Sequence, residues 1–156
     1  MEYYPLGEYP QQKPQWLVDQ LGKTPLYESR DVDRDLRVWL LDGTEDFSVP
    51  AAYLLQIPPR HTLFRHGHPC FRFEVVVQGS LEIGDGRVAT PGDVFTANPG
   101  ELYGPHTAGP EGCTTFEVFS SLDAMWDILV EDTNGGVRTI DSRAGEKTPP
   151  IAPLED

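Results

Sequence analysis

The chain has 156 residues, 38% of them hydrophobic, and sets 12 Lys and Arg against 25 Asp and Glu for a formal net charge of −13. That length and composition suit one globular domain with a sizeable core rather than a disordered chain. So acidic a surface repels phosphate backbones and anionic bilayers, so neither nucleic acid nor a membrane is an expected partner.

Fifteen glycines and fifteen prolines, spread along the whole length, favour many short strands joined by tight turns. Cys70 and Cys113, the two cysteines, are too few for a secreted disulfide framework, so a reducing cytoplasm is the expected compartment. Met1–Pro5 shows neither the basic nor the apolar region of a signal peptide, and no apolar run reaches the length of a membrane span.

Residues 1–30 read as an N-terminal arm rich in Pro, Gln and Tyr, residues 31–130 as the main domain, and residues 131–156 as a polar C-terminal tail. Within the arm, Pro14 to Gly22 has proline at the front and glycine at the back, the punctuation of a short helix. Trp16, Leu17 and Leu21 share one face of it, suited to packing against the domain or a second copy. Strands are then expected over Leu36–Leu41, Val49–Ile57, Phe71–Gln78, Leu81–Ile83, Val88–Thr90, Asp93–Ala97 and Thr114–Phe119, with Thr62–His68 leading into the strand that opens at Phe71. Gly79 ends one of them, and Gly84-Asp85-Gly86 is a strong turn signal. Ser121–Val130 fits either a helical turn or a final strand. With no helix long enough to join parallel strands, the fold class is all-β, an antiparallel sandwich or barrel.

Against that pattern, His66-Gly67-His68 stands just before the strand that opens at Phe71. Residues i and i+2 of an extended segment point to the same side, so both imidazoles look into one cavity. Two imidazoles on one wall are a common start for a divalent-metal site. His61 has the opposite parity and reads as lying outside it. A second stretch, Gly92-Asp93-Val94-Phe95-Thr96-Ala97-Asn98-Pro99-Gly100-Glu101-Leu102-Tyr103, follows in order.

These two stretches resemble the paired motifs of the cupin superfamily, small antiparallel β-barrels of jelly-roll type. The first motif of that family is H-x-H, a short spacer, Glu, a longer spacer and Gly; here it is His66-x-His68 ending at Gly79. The second is Gly, a spacer, P-x-G and His; here it runs from Gly92 through Pro99-Gly100. The likeness covers roughly residues 36–120. It implies a jelly-roll barrel, a divalent transition metal (iron, manganese, nickel or zinc), a small-molecule substrate and a homodimer.

The chain departs from the pattern at the ligands themselves. Arg72 holds the position of the family's Glu, Tyr103 that of its third His, and Asn98 that of its first proline. Glu74, two residues beyond Arg72 on the same strand face, and His106, in the expected loop Gly104-Pro105-His106-Thr107, are the residues able to replace the lost ligands. The expected metal set is therefore His66, His68, Glu74 and His106, with Arg72 and Tyr103 as candidate catalytic or substrate-orienting groups.

Each of these has an alternative. Glu74 pairs equally well with Arg72. Tyr103 is either a ligand, a proton donor or packing at the barrel mouth. Cys70 is either a soft ligand or buried filler. Counting hydrophobicity alone, Phe71, Phe73, Val75 and Val77 form the inward face and send Arg72 and Glu74 out to solvent. The family register implies the reverse, and it is the register followed here. An inward Arg72 would repel a nearby dication by roughly 4 kcal/mol per unit charge at 4 Å and an effective dielectric of 20. Two functions follow: a cupin metalloenzyme, of dioxygenase or isomerase/lyase type, acting on an aromatic or carbonyl compound; or a metal-free barrel anchoring a small molecule through His66, His68, Arg72 and Tyr103.

Overall fold

The structure, a computed structural model, describes residues 36–40, 48–141, 144, 146, 148–149 and 152–153. The arm of residues 1–30, with the helix expected over Pro14–Gly22, lies outside the described residues.

The strands, in chain order, are β1 (Leu36–Leu40), β2 (Ala51–Ile57), β3 (His61–Leu63), β4 (Arg72–Glu82), β5 (Val88–Ala89), β6 (Val94–Ala97), β7 (His106–Phe119), β8 (Asp127–Glu131), β9 (Val137–Asp141) and β10 (Ala152–Pro153). A one-turn helix, α1 (Leu122–Met125), precedes β8. All pairings among the described residues are antiparallel, as expected for an all-β chain without crossover helices. β7 is the spine: it pairs with β2, β3 and β4, and β4 in turn carries β5 and β6. β8 and β9 form a separate hairpin.

Two strands are longer than their turn signals suggest. β4 does not stop at Gly79 but runs on to Glu82, because the register shifts against β7 at Val76/Gln78 and again at Gly79/Leu81. Gly79 supplies the positive φ of 76° that such a bulge needs. A Cβ there would also run into the Gly112 carbonyl. β7 begins at His106 rather than Thr114, so Gly109, Pro110 and Gly112 lie within a strand and not in a loop.

The segment expected to be either helix or strand is both in succession. Ser121 caps α1, its Oγ accepting from Ala124 N at 3.1 Å, and β8 follows at once. Part of the expected loose tail is also ordered into β9, paired with β8, and β10, paired with β3.

Along β7 the inward residues Cys113, Thr115, Glu117 and Phe119 alternate with half-buried Phe116 and Val118. Cys113 and Phe119 belong with Leu55, Val76, Leu81, Leu122 and Trp126 to one main core. The segment between β3 and β4 is tied in by backbone bonds on both sides. His66 pairs with Tyr103 (3.1 and 2.8 Å), and Gly67 pairs with Leu129 (2.9 and 2.8 Å). Gly67 permits this close approach, since a Cβ would strike the Glu101 carbonyl. The two motifs thus meet at one end of the sheet. No helix among the described residues is long and apolar enough to cross a membrane.

Candidate functional site

Register builds the site. Glu74 of β4 lies directly opposite Glu117 of β7, with Tyr53 of β2 and Phe95 of β6 completing that row. One row along, Arg72 faces Phe119 and Ala97. Arg72, Glu74 and Glu117 are 2%, 1% and 4% exposed, so the inward register is correct and the simple hydrophobic count is not. Phe71 and Phe73 take the outer face instead.

Two acids opposed across a strand pair repel, and buried they do so in a medium that screens poorly. Arg72 resolves the conflict. Its Nε donates to Glu117 Oε2 at 2.6 Å, and its Nη2 pairs with Glu74 Oε2. Thr115 Oγ1 donates to the other Glu117 oxygen at 3.4 Å. Glu117 thus joins the site although neither motif contains it.

The aromatic groups close over this triad. The Arg72 guanidinium carbon sits 4.2 Å from the Tyr103 ring centroid and 5.6 Å from that of Phe95, a cation–π arrangement. Around the same Tyr103 ring lie His66 at 4.8 Å, His106 stacked at 5.6 Å and His68 at 6.4 Å, centroid to centroid. His106 is not in a loop; it opens β7 and is 2% exposed. His61 lies apart from this group, as its parity predicts, with Nδ1 bonded to the Pro59 carbonyl at 2.9 Å.

Beside the triad is a cavity of about 50 Å³. Leu55, Phe64, Phe119, Trp126 and Ile128 give it apolar walls, and His66, His68 and Glu117 form its polar end. Arg72 and Tyr103 stand behind that wall and do not line it.

No family model and no curated protein matches the chain. Similar solved structures include oxalate decarboxylase from Bacillus subtilis, 18% identical over 67% of this chain and 27% of that one, with a TM-score of 0.47. Another structure of that enzyme, described for its Mn(II) centers, has the same identity and score. KdgF from Halomonas sp. is 24% identical over 62% of this chain and 90% of that one, with a TM-score of 0.46. The chain spans about a quarter of the oxalate decarboxylase chains it matches. Both are cupin-fold proteins. In this chain the two motifs meet on an antiparallel, all-β sheet.

The expected metal ligands share one neighbourhood without closing on a common point. Among the described residues no three His, Cys, Asp or Glu side chains are grouped to hold a metal ion. Glu74 is paired with Arg72, and the Tyr103 ring lies among the imidazoles. The arrangement as it stands does not fit the set His66, His68, Glu74 and His106. Cys70 is buried filler: its thiol points to the Ser121 carbonyl at 3.8 Å, and burial pushes it up to about 11.

Electrostatics follow from burial. Burial, and the positive charge of Arg72, hold His66 down at about 4, although its bond to the Phe64 carbonyl opposes this. His68 and His106 are lowered for the same reasons, burial first, then neighbouring His66 and Arg72. All three are neutral at pH 7. A carbonyl only accepts, so His66 Nδ1 carries the proton it gives Phe64 O at 2.7 Å, and its Nε2 is an open acceptor. Burial raises the Tyr103 phenol well above its ordinary value, so it remains protonated.

Two predictions follow from these environments. Arg72→Ala strands two buried carboxylates without their cation and should cost about 3–5 kcal/mol in urea unfolding; a loss under about 1 kcal/mol, the worth of an exposed pair, would show that the triad is not buried as described. The second concerns acid. Unfolded His66 binds a proton near 6.5 and folded His66 near 4, so between those values the unfolded chain holds more protons. Stability should therefore be full above about pH 7 and fall as pH drops toward 4, by about 3 kcal/mol from His66 alone. His66→Gln should flatten that slope in pH-dependent denaturation, and an unchanged slope would contradict the assignment.

Proposed function

We propose that the chain is a small-molecule-binding cupin whose centre is organised by Arg72 and not by a metal ion. The observation that carries this reading is the pairing of Arg72 with Glu74 and Glu117 inside the barrel. It puts a permanent cation where the cupin pattern has a carboxylate. A metal ion would have to share a buried site with that guanidinium, at a Coulomb cost of several kcal/mol.

The ligand enters the cavity at His66, His68 and Glu117. A cavity of about 50 Å³ has room for a few waters or a molecule of a few heavy atoms, well short of the roughly 150 Å³ that accommodates benzene. This favours a compact carbonyl or hydroxyl compound over an aromatic one. Imidazoles kept neutral by burial are better hydrogen-bond partners than bases at pH 7, which suits a carrier or sensor, or an enzyme that polarises its substrate by hydrogen bonding.

A second reading is the metalloenzyme, with iron, manganese, nickel or zinc on His66, His68 and His106 and Glu74 released from Arg72. The observation favouring it is that His68 Nδ1 and His106 Nδ1 are buried without a hydrogen-bond partner.

Elemental analysis separates the two. Protein from cells supplied with iron, manganese, nickel and zinc should carry each metal far below stoichiometry and keep its melting temperature after chelation. Near-stoichiometric metal that disappears in His66→Ala and His68→Ala would overturn the first reading in favour of the second.

A further inference from the structure

The polarity of the cavity's polar end goes beyond its size and location. We infer that the ligand presents an uncharged, hydrogen-bond-donating head of hydroxyl type, and that the cavity rejects carboxylates. This rests on the proposed binding role of the same cavity and specifies its ligand.

His66 spends its one N–H on the Phe64 carbonyl at 2.7 Å, so toward the cavity it offers only a lone pair. Glu117 is held by Arg72 and Thr115 and brings acceptor lone pairs with a negative charge. His68, 6% exposed, lines the same end, and its Nδ1 has no hydrogen-bond partner. A hydroxyl meets this set. The one N–H of His68 is turned to the Met125 backbone, which leaves Nδ1 as a lone pair, so a hydroxyl can donate to His66 Nε2, Glu117 or His68 Nδ1.

An anionic head meets the opposite. The one buried guanidinium is already shared between two carboxylates and stands behind the wall. Arg72, Glu74 and Glu117 together carry no surplus positive charge, so an incoming carboxylate has no counter-ion and faces Glu117. Desolvating it there is unfavourable. The expectation that Arg72 anchors the small molecule therefore gives way to a guanidinium already occupied by the protein's own acids.

The test is a matched pair of small probes, propan-1-ol and propionate, titrated at pH 7 into the full chain and followed by NMR at the Met125 methyl, which lines the cavity. The alcohol should shift that signal saturably, and propionate should bind at least about tenfold more weakly, a difference of ~1.4 kcal/mol. Glu117→Gln, which removes the charge and adds a donor, should narrow the gap. Propionate binding as tightly as propan-1-ol to the unaltered protein would overturn the inference and leave the binding role intact. Silence from both probes would overturn both.

Discussion

Everything in this molecule is arranged around one electrostatic conflict. Antiparallel pairing of β4 with β7 sets Glu74 against Glu117 across the inner face of the sheet. Neither acid reaches water, each being under 5% exposed. Without a cation the pair would cost several kcal/mol. Arg72, two residues before Glu74 and therefore on the same face, reaches both. A buried ion cluster of this kind is a poor source of net stability. What it does is fix geometry: β4 cannot slip by one residue relative to β7 without turning Arg72 and Glu74 to the face opposite Glu117.

That fixed triad then shapes the chemistry next to it. Tyr103 lies over the guanidinium, the imidazoles surround Tyr103, and the Arg72 charge helps keep all three histidines neutral. The result is a polar centre built of acceptors and neutral rings beside a small apolar cavity. Such a centre favours hydrogen-bonded neutral ligands over charged ones, because the compensating cation is already used within the protein.

The fold was readable from residues, and the site only in part. The alternation of apolar residues and the Gly/Pro punctuation gave the antiparallel class, and the spacing of His66 and His68 gave the end of the barrel where polar groups converge. Glu117 was missed for a physical reason. Its neighbours Phe116 and Val118 are more apolar than its own-face partners Cys113 and Thr115, so a hydrophobic count turns the strand over, as it does for β4. A lone acid within an aromatic-rich strand was the available signal. What no local pattern contains is the register that opposes Glu117 to Glu74, because it depends on the two bulges beyond Val76. The same long pairing carries His106 out of the expected loop and into β7.

The central claim, that Arg72 bridges two buried acids, is tested most directly by nitrogen-15 NMR of the arginine side chains. One Nε–H signal, absent in Arg72→Lys, should exchange with water far more slowly than that of exposed Arg87 and move in Glu117→Gln. An Arg72 signal exchanging as fast as that of Arg87, and indifferent to Glu117→Gln, would contradict it.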